Sequence, residues 1–499
     1  MSALIFAALT PEKHEFIYID EELEKIDYDS LKPDLVAITA MSAQAGRAYY
    51  IAKRFKLRGA RTVIGGIHAC VRTEEVVGRC DSVIVGAGEN IWPVLLEDFE
   101  RGEMKEVYNA KDFPPVTGFV TPKYSACRYD RYYVFPIQAT RGCPYKCDFC
   151  SIKYSSGHRY MMRPVEDVVA NLREAEKYNG RGIDQKSYFF VDDNLYVNRE
   201  YTKSLFQAMA DAKLGIVWDG QGTVDTASDE EVVSLMAKSG CRSFSFGFES
   251  VYAESLKEAN KPKCNNVENY DTVIKNLYKH GIAAGGFFIV GFDTDGPEVF
   301  QDTVEFIKRF DLFQTIASLL TPFPGTELYN RLDGEGRIFE RDWTYYNSWS
   351  CVYEPKQLSV DELQAGFQWL GLQITSMEQA KRSVEVFWEN AAWSNARTLN
   401  PIERLALVGI ALVKLRGPHF HDYRKFLLWA ARHPKAKNFR FILWAMMRNE
   451  LAGKFPEHAC YNPAERRAAA EAERLAAEQQ TATEPLATDR LLASQASTA

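Results

Sequence analysis

The chain of 499 residues is 46% hydrophobic and 25% charged, an ordinary globular composition with length for two to four domains. Sixty basic against 67 acidic side chains leave a net charge of −7, so no global polycation is offered to phosphate backbones and nucleic acid is not an expected partner. There is no apolar run of about 18 residues, no basic leader or cleavage site in MSALIFAALTPEKHEF, and ten cysteines are too sparse for a disulfide scaffold, so the expected location is cytoplasmic.

Short apolar runs alternate with helical patterns over the first 110 residues. DLVAITA (34–40), TVIGGIHA (62–69) and DSVIVGAGE (81–89) read as strands, with helices at 43–59 and 91–102, which together imply a parallel sheet with helical crossovers. Gly65, Gly66 and Gly86 follow strand ends, where glycine serves either a ligand's close approach or a plain turn. Residues 111–134 read as a linker with Pro114, Pro115 and Pro122. A second alternating series then runs through FPIQAT, KSYFFVDD, GIVWDGQGT, SFSFGFES, AAGGFFIVGF and TIASLLTPF, with helices between them, for example at 165–178 and 229–240. Six strands over this span (135–357) predict a partial (β/α)6 barrel of the TIM type. Residues 358–455 read as helical, and 456–499 as a low-complexity tail in which a frayed helix from Ala464 leads into disorder.

The chemistry concentrates in Arg141-Gly-Cys-Pro-Tyr-Lys-Cys-Asp-Phe-Cys150, where Cys143, Cys147 and Cys150 form a C-x3-C-x2-C array just past the first barrel strand. Thiolates suit zinc or iron–sulfur clusters. Three of them hold three irons of a cubane and leave the fourth open. A closed zinc site wants four ligands, for which Cys127, His158 or Cys241 stand as the fourth.

This loop, with the strand ends that follow it, resembles the radical SAM superfamily. The resemblance implies a 4Fe-4S cluster whose open iron chelates S-adenosyl-L-methionine (SAM), a reducing electron donor of flavodoxin or ferredoxin type, and release of a 5′-deoxyadenosyl radical. It also implies roles for later residues. In FFVDDNLY, Asp192, Asp193 and Asn194 stand where the family binds the methionyl ammonium, and in SFGFES, Glu249 resembles its ribose-contacting acid. Gly285 and Gly286, with Ile289, resemble its adenine platform, and Phe149 flanks the cluster, the adenine or the core.

The N-terminal α/β segment, with VIGGIHAC and VIVGAGENIW, resembles the Rossmann-like module of the cobalamin-binding class, and PFPGTELYNRL (322–332) resembles members acting on hopanoids and other lipids. No D-x-H-x-x-G motif marks a cobalt ligand, and Met1 falls where the module's second element is expected, so its central crevice is expected to be incomplete. Cobalamin is the cofactor this class implies. The expected reaction is then C-methylation of an unactivated carbon, and without cobalamin C–C bond formation or desaturation. The expected substrate is a hydrophobic lipid or isoprenoid, with a tetrapyrrole or natural product second and a zinc-stapled binding protein as the non-enzyme reading. Residues 421–455 carry eight Lys/Arg against two acidic residues and include Trp429 and Trp444. They read either as a membrane-surface element on the inner face or as a helical cap on the barrel.

Overall fold

A computed structural model describes residues 1–113, 116, 118–129, 132, 134–156, 159–179, 187–261, 265–389, 399–414, 421–433 and 462–468. His158 and Trp444 lie outside the described residues.

The N-terminal module is a four-stranded parallel sheet, β1 (Leu35–Thr39), β2 (Arg61–Gly65), β3 (Ser82–Val85) and β4 (Val107–Asn109), in spatial order 1-2-3-4. Alternation sends Ile64 and Val83 to one face, against Ala48 and Ala52 of α2 (Ala45–Lys56). Val63 and Ile84 go to the other face, against Trp92 and Leu95 of α4 (Trp92–Arg101) and against Phe6 of α1 (Ser2–Leu9). Both faces are therefore covered. The strand order never reverses, so these strands make no switch-point crevice of their own. Past β2 the chain turns at Gly66 into α3 (Ile67–Val71), which ends the predicted strand early.

Six parallel strands form the second sheet in sequential order: β5 (Val134–Ile137), β6 (Ser187–Phe190), β7 (Trp218–Gly222), β8 (Cys241–Glu249), β9 (Ala283–Val290) and β10 (Gln314–Leu319). This is an open half-barrel. Its outer face buries Phe190, Phe244, Phe246, Phe248 and Phe288 against the crossover helices, which include α5 (Val165–Glu176), α6 (Arg199–Asp211), α7 (Glu230–Lys238), α8 (Tyr270–Lys279) and α9 (Val299–Arg309). Caps set these helices at strand exits: Asn198 accepts from Tyr201 N, and Asp229 accepts from the amides of Glu231 and Val232. The inner face is more open, since Phe287 and Ile289 are half-buried and Ile316 is 47% exposed.

The predicted linker is part of the core. Tyr124 is fully buried and donates to Asn171 Oδ1 at 2.5 Å, and Tyr129 stacks on Phe135 at 4.0 Å. The described piece of the predicted low-complexity tail is helical at 463–468, where Arg466 pairs with buried Glu340 at 2.6 Å. In the C-terminal helical region, α10 (Val360–Ile374) starts at a Ser359/Glu362 capping box, followed by α11 (Met377–Glu389), α12 (Pro401–Gly409) and α13 (His421–Arg432). Trp429 is half-buried, packs on Phe426 and lies under Lys381, so this tryptophan belongs to the cap rather than to a membrane face.

Candidate active site

The cysteine loop leaves β5 at the carboxyl end of the half-barrel, where strand ends converge. Four consecutive residues lead into it. Ala139 N and Thr140 N and Oγ1 donate to Asp192, and Gly142 N donates to Asp193 Oδ2 at 2.7 Å. Gly142 turns with φ +88 just before Cys143. On its far side the loop is stitched by Asp148 N to Ala259 O (3.2 Å), Leu328 N to Asp148 O (3.0 Å) and Asn260 Nδ2 to Lys146 O (2.9 Å). Cys143, Cys147 and Cys150 are all of intermediate exposure, and none of them is in a disulfide. Burial raises the thiols of Cys143 and Cys150, whereas Lys261 pulls both down, and each group shifts in the direction burial dictates. Metal binding must therefore displace a proton from each.

Among the described residues no three Cys, His, Asp or Glu side chains converge as ligands of one ion. A cubane held by one thiolate per iron does not require that convergence, whereas a zinc site does. Two of the expected fourth zinc ligands lie elsewhere. Cys127 sits beside the N-terminal amine, Asp20 and Tyr132. Cys241 opens β8 at the end opposite Glu249, eight residue steps or ~26 Å away at ~3.3 Å per residue.

Strand alternation sorts the remaining expected residues. Asp192 is completely buried on the outer face, its oxygens spent on Ala139 and Thr140, and burial pushes its carboxyl up to about 7 against those donors. It holds the backbone that enters the loop and is withdrawn from the expected ammonium contact, because its neighbour Asp193 takes the inward position. Asn194 lowers the Cys143 thiol through a hydrogen bond, accepts from Tyr196 N and donates to Thr223 Oγ1 at 3.3 Å. Gln221 Nε2 donates to Asp192 O at 3.2 Å.

Glu249 reaches the strand mouth in the left-handed region, φ +62, and pairs with Lys261. Gly286 faces outward: a Cβ there would lie 2.8 Å from Phe248 and 2.9 Å from Phe288, so ring packing by itself accounts for the glycine. Gly285 and Ile289 occupy the alternate, inward positions of β9. Phe149 packs on the core cluster that Ile289 also borders. In the N-terminal module, a Cβ at Gly66 would meet Ala40 O at 2.7 Å and one at Gly86 would meet Ala110 Cβ at 2.7 Å, so both glycines answer to the polypeptide; Gly65 makes only ordinary contact with Ile84.

Three residues here are absent from the sequence reading. Lys261 is 7% exposed, acts electrostatically on Cys143, Cys150 and Asp225, and donates to Gly247 O at 3.0 Å. Asp225, three residues past the end of β7, has a buried Oδ1 with no hydrogen-bond partner among the described residues, and its carboxyl is raised by burial. Asn265 Oδ1 is likewise unsatisfied beside Gly247 and Phe248. Thiolates at one side and orphaned oxygens at the other are a donor set suited to a soft cluster beside a cationic, polar ligand. A lysine followed by Pro-Lys in a loop, or a lone Asp after a strand, carries no sequence signal that separates it from surface polarity.

At the seam between module and barrel a cavity of about 390 Å³ is lined by Gly46, Tyr49, Arg72 and Glu75 on one side and Tyr329, Arg341, Asp342 and Trp343 on the other. It lies beyond the carboxyl ends of β1 and β2, and the missing side chain of Gly46 faces open space. His68 is buried there with both ring nitrogens engaged, Nδ1 to Ser42 Oγ (3.2 Å) and Nε2 to Tyr49 OH (2.9 Å), and desolvation keeps it neutral. Glu75 links Tyr49 to Trp343 Nε1 at 3.0 and 2.9 Å.

A six-stranded parallel half-barrel with three cysteines outside any disulfide on the loop after its first strand defines a radical SAM enzyme. Residues 137–307 match the radical SAM superfamily. The chain is 35% identical over 375 residues, 74% of its length and 80% of the relative's, to the bacteriochlorophyllide d C-12(1)-methyltransferase of Chlorobaculum tepidum, and 32% identical over 372 residues to the C-8(2)-methyltransferase of the same organism. It is 26% identical over 350 residues, 68% of its length and 65% of the relative's, to the hopanoid C-2 methylase of Rhodopseudomonas palustris. In fold it is similar to the radical SAM methyltransferase TsrM of Kitasatospora setae, solved with cobalamin and a 4Fe-4S cluster (TM-score 0.55, 15% identity, 86% of this chain and 90% of that one). This protein belongs to the radical SAM superfamily. Its cofactors are accordingly a 4Fe-4S cluster and SAM, and the enzyme requires a reductant and a small-molecule substrate.

Proposed function

We propose that this enzyme C-methylates a large hydrophobic substrate, with a tetrapyrrole macrocycle ahead of a polyprenoid lipid. The single observation that carries the order is the 35% identity over 375 residues to a bacteriochlorophyllide methyltransferase, against 26% to the hopanoid enzyme. This reverses the order in which the sequence ranked the two classes. The inner barrel face agrees with either, since Val191, Phe287, Ile289 and Ile316 give it apolar, incompletely buried walls.

When bound, the cluster and SAM supply one-electron cleavage and hydrogen-atom abstraction, and cobalamin supplies the methyl group. The chain's own residues position. Asp192 and Asp193 fix the entry to the cysteine loop, while Glu249 with Lys261 sets a charged pair at the strand mouth. The seam cavity is the proposed seat for part of a corrinoid; because both of its ring nitrogens are engaged, His68 would offer no imidazole to the metal. Peripheral membrane contact is proposed through α12 and the turn after it, where Ile402 (78%), Leu405 (70%) and Leu412 (57%) are exposed beside a basic sequence region.

The test is an anaerobic assay of reconstituted enzyme with methyl-deuterated SAM, offering chlorophyllide-type tetrapyrroles and polyprenoid lipids in parallel, with and without methylcobalamin. Label appearing in the tetrapyrrole supports the proposal. Label in the polyprenoid alone, or cleavage of SAM without methyl transfer to either, overturns it. Cys147→Ala removes one thiolate and is expected to abolish both the brown colour and SAM cleavage.

A further inference from the structure

The residues that lead into the cysteine loop are gripped from two bodies at once. From the barrel, Asp192 takes the amides of Ala139 and Thr140, and Asp193 takes that of Gly142. The remaining residue of the four, Arg141, is held from the N-terminal module: its guanidinium pairs with Glu89, with side chains 18% and 9% exposed. The same guanidinium donates to Gln138 Oε1 at 3.2 Å and lies over the Phe119 ring at 5.5 Å. Glu89 is itself fixed. It follows the β3 exit through Gly86, φ +92, and Gly88, whose missing side chain makes room for Phe6 of α1.

We propose that Glu89 is a positioning residue for the iron–sulfur cluster, coupling the N-terminal module to the cysteine loop through Arg141. The argument is geometric. Arg141 stands two residues before Cys143, and the left-handed turn at Gly142 between them leaves the loop's direction to whatever fixes Arg141 and Gly142. Asp193 fixes one of these and Glu89 the other. A buried carboxylate and a largely enclosed guanidinium cannot be separated cheaply, because each would lose its partner with little water to replace it. A shift of the β3–α4 loop in the module is therefore passed to the first cluster ligand rather than absorbed. The pairing spans 52 positions in sequence and crosses the module boundary.

The inference is independent of the substrate, so its test needs none. Glu89→Gln keeps the shape and removes the charge. In the full-length apo-protein, hydrogen–deuterium exchange of residues 139–150 is expected to rise roughly tenfold or more, with β8 and β9 unchanged. In anaerobically reconstituted protein, the electron paramagnetic resonance signal of the reduced cluster is expected to broaden or shift, and Glu89→Asp is expected to recover part of the wild-type signal. Should Glu89→Gln not fold, Arg141→Lys, which keeps the charge but loses the two-pronged geometry, carries the same expectation. Exchange and spectrum both matching wild type would overturn the proposal. So would a rise in exchange spread evenly over the barrel, because that reports global destabilisation and not positioning.

Discussion

Replacing Lys261 by Met tests the charged pair at the strand mouth. The two side chains are 8% and 10% exposed, so little water is present to take over the charge of Glu249. Methionine keeps most of the apolar stem of lysine, and Gly247 O retains its bond from Asn265 Nδ2 at 2.7 Å. The main loss is therefore the ammonium facing Glu249. At contact distance of ~3 Å and an effective dielectric of ~20 the gross attraction is ~5 kcal/mol, and breaking a buried pair from one side costs ~3–5 kcal/mol. That is a large share of the ~5–15 kcal/mol that holds a typical domain. Urea denaturation of the apo-protein is expected to show a loss of this size for Lys261→Met, and adding Glu249→Gln is expected to recover at least half of it, since the stranded charge is then gone. A Lys261→Met midpoint shift worth less than ~0.5 kcal/mol, or a double variant no more stable than the single, would refute the reasoning.

Gly286→Ala is expected to cost ~1–3 kcal/mol through the Phe248 and Phe288 rings while leaving the affinity of the folded protein for SAM unchanged; a large affinity loss without destabilisation would restore the adenine role. Asp295, buried and accepting from Ser255 and the amides of Gly291 and Phe292, is raised by burial to about 6. Between its ordinary value of 3.8 and about 6 the folded state holds a proton the unfolded state has lost, so this group's contribution to stability falls as pH rises through that window and is level above it. Asp295→Asn is expected to remove that slope of up to ~3 kcal/mol in a pH series of denaturation midpoints. Ile402→Ser with Leu405→Ser is expected to reduce co-sedimentation with anionic liposomes at low salt without changing stability by more than ~0.5 kcal/mol; undiminished binding would remove α12 as the contact.

Some of this protein was open to reading from local pattern. The C-x3-C-x2-C spacing places three thiols on one short loop whatever surrounds them. Strand and helix periods likewise gave six barrel strands whose observed limits fall within a few residues of those read, because period-2 and period-3.6 patterns are properties of a segment and its nearest layer. The linker was misjudged for a related reason. Proline and polar composition says how regular a segment is, but not whether Tyr124 or Arg466 finds a partner elsewhere.

What only tertiary structure decided is which face each strand-end residue presents and what meets it there. In Asp192-Asp193 two identical side chains in succession are sent to opposite sides of the sheet, and each takes a different stretch of the loop's entry, Asp192 at Ala139 and Thr140 and Asp193 at Gly142. Lys261 reaches Glu249 across 12 positions and Glu89 reaches Arg141 across 52. Motif spacing along the chain fixes the ligand chemistry, because a thiolate is a thiolate wherever the loop points. Charge pairing and burial depend on distances through space, which are set only when the half-barrel closes against the N-terminal sheet.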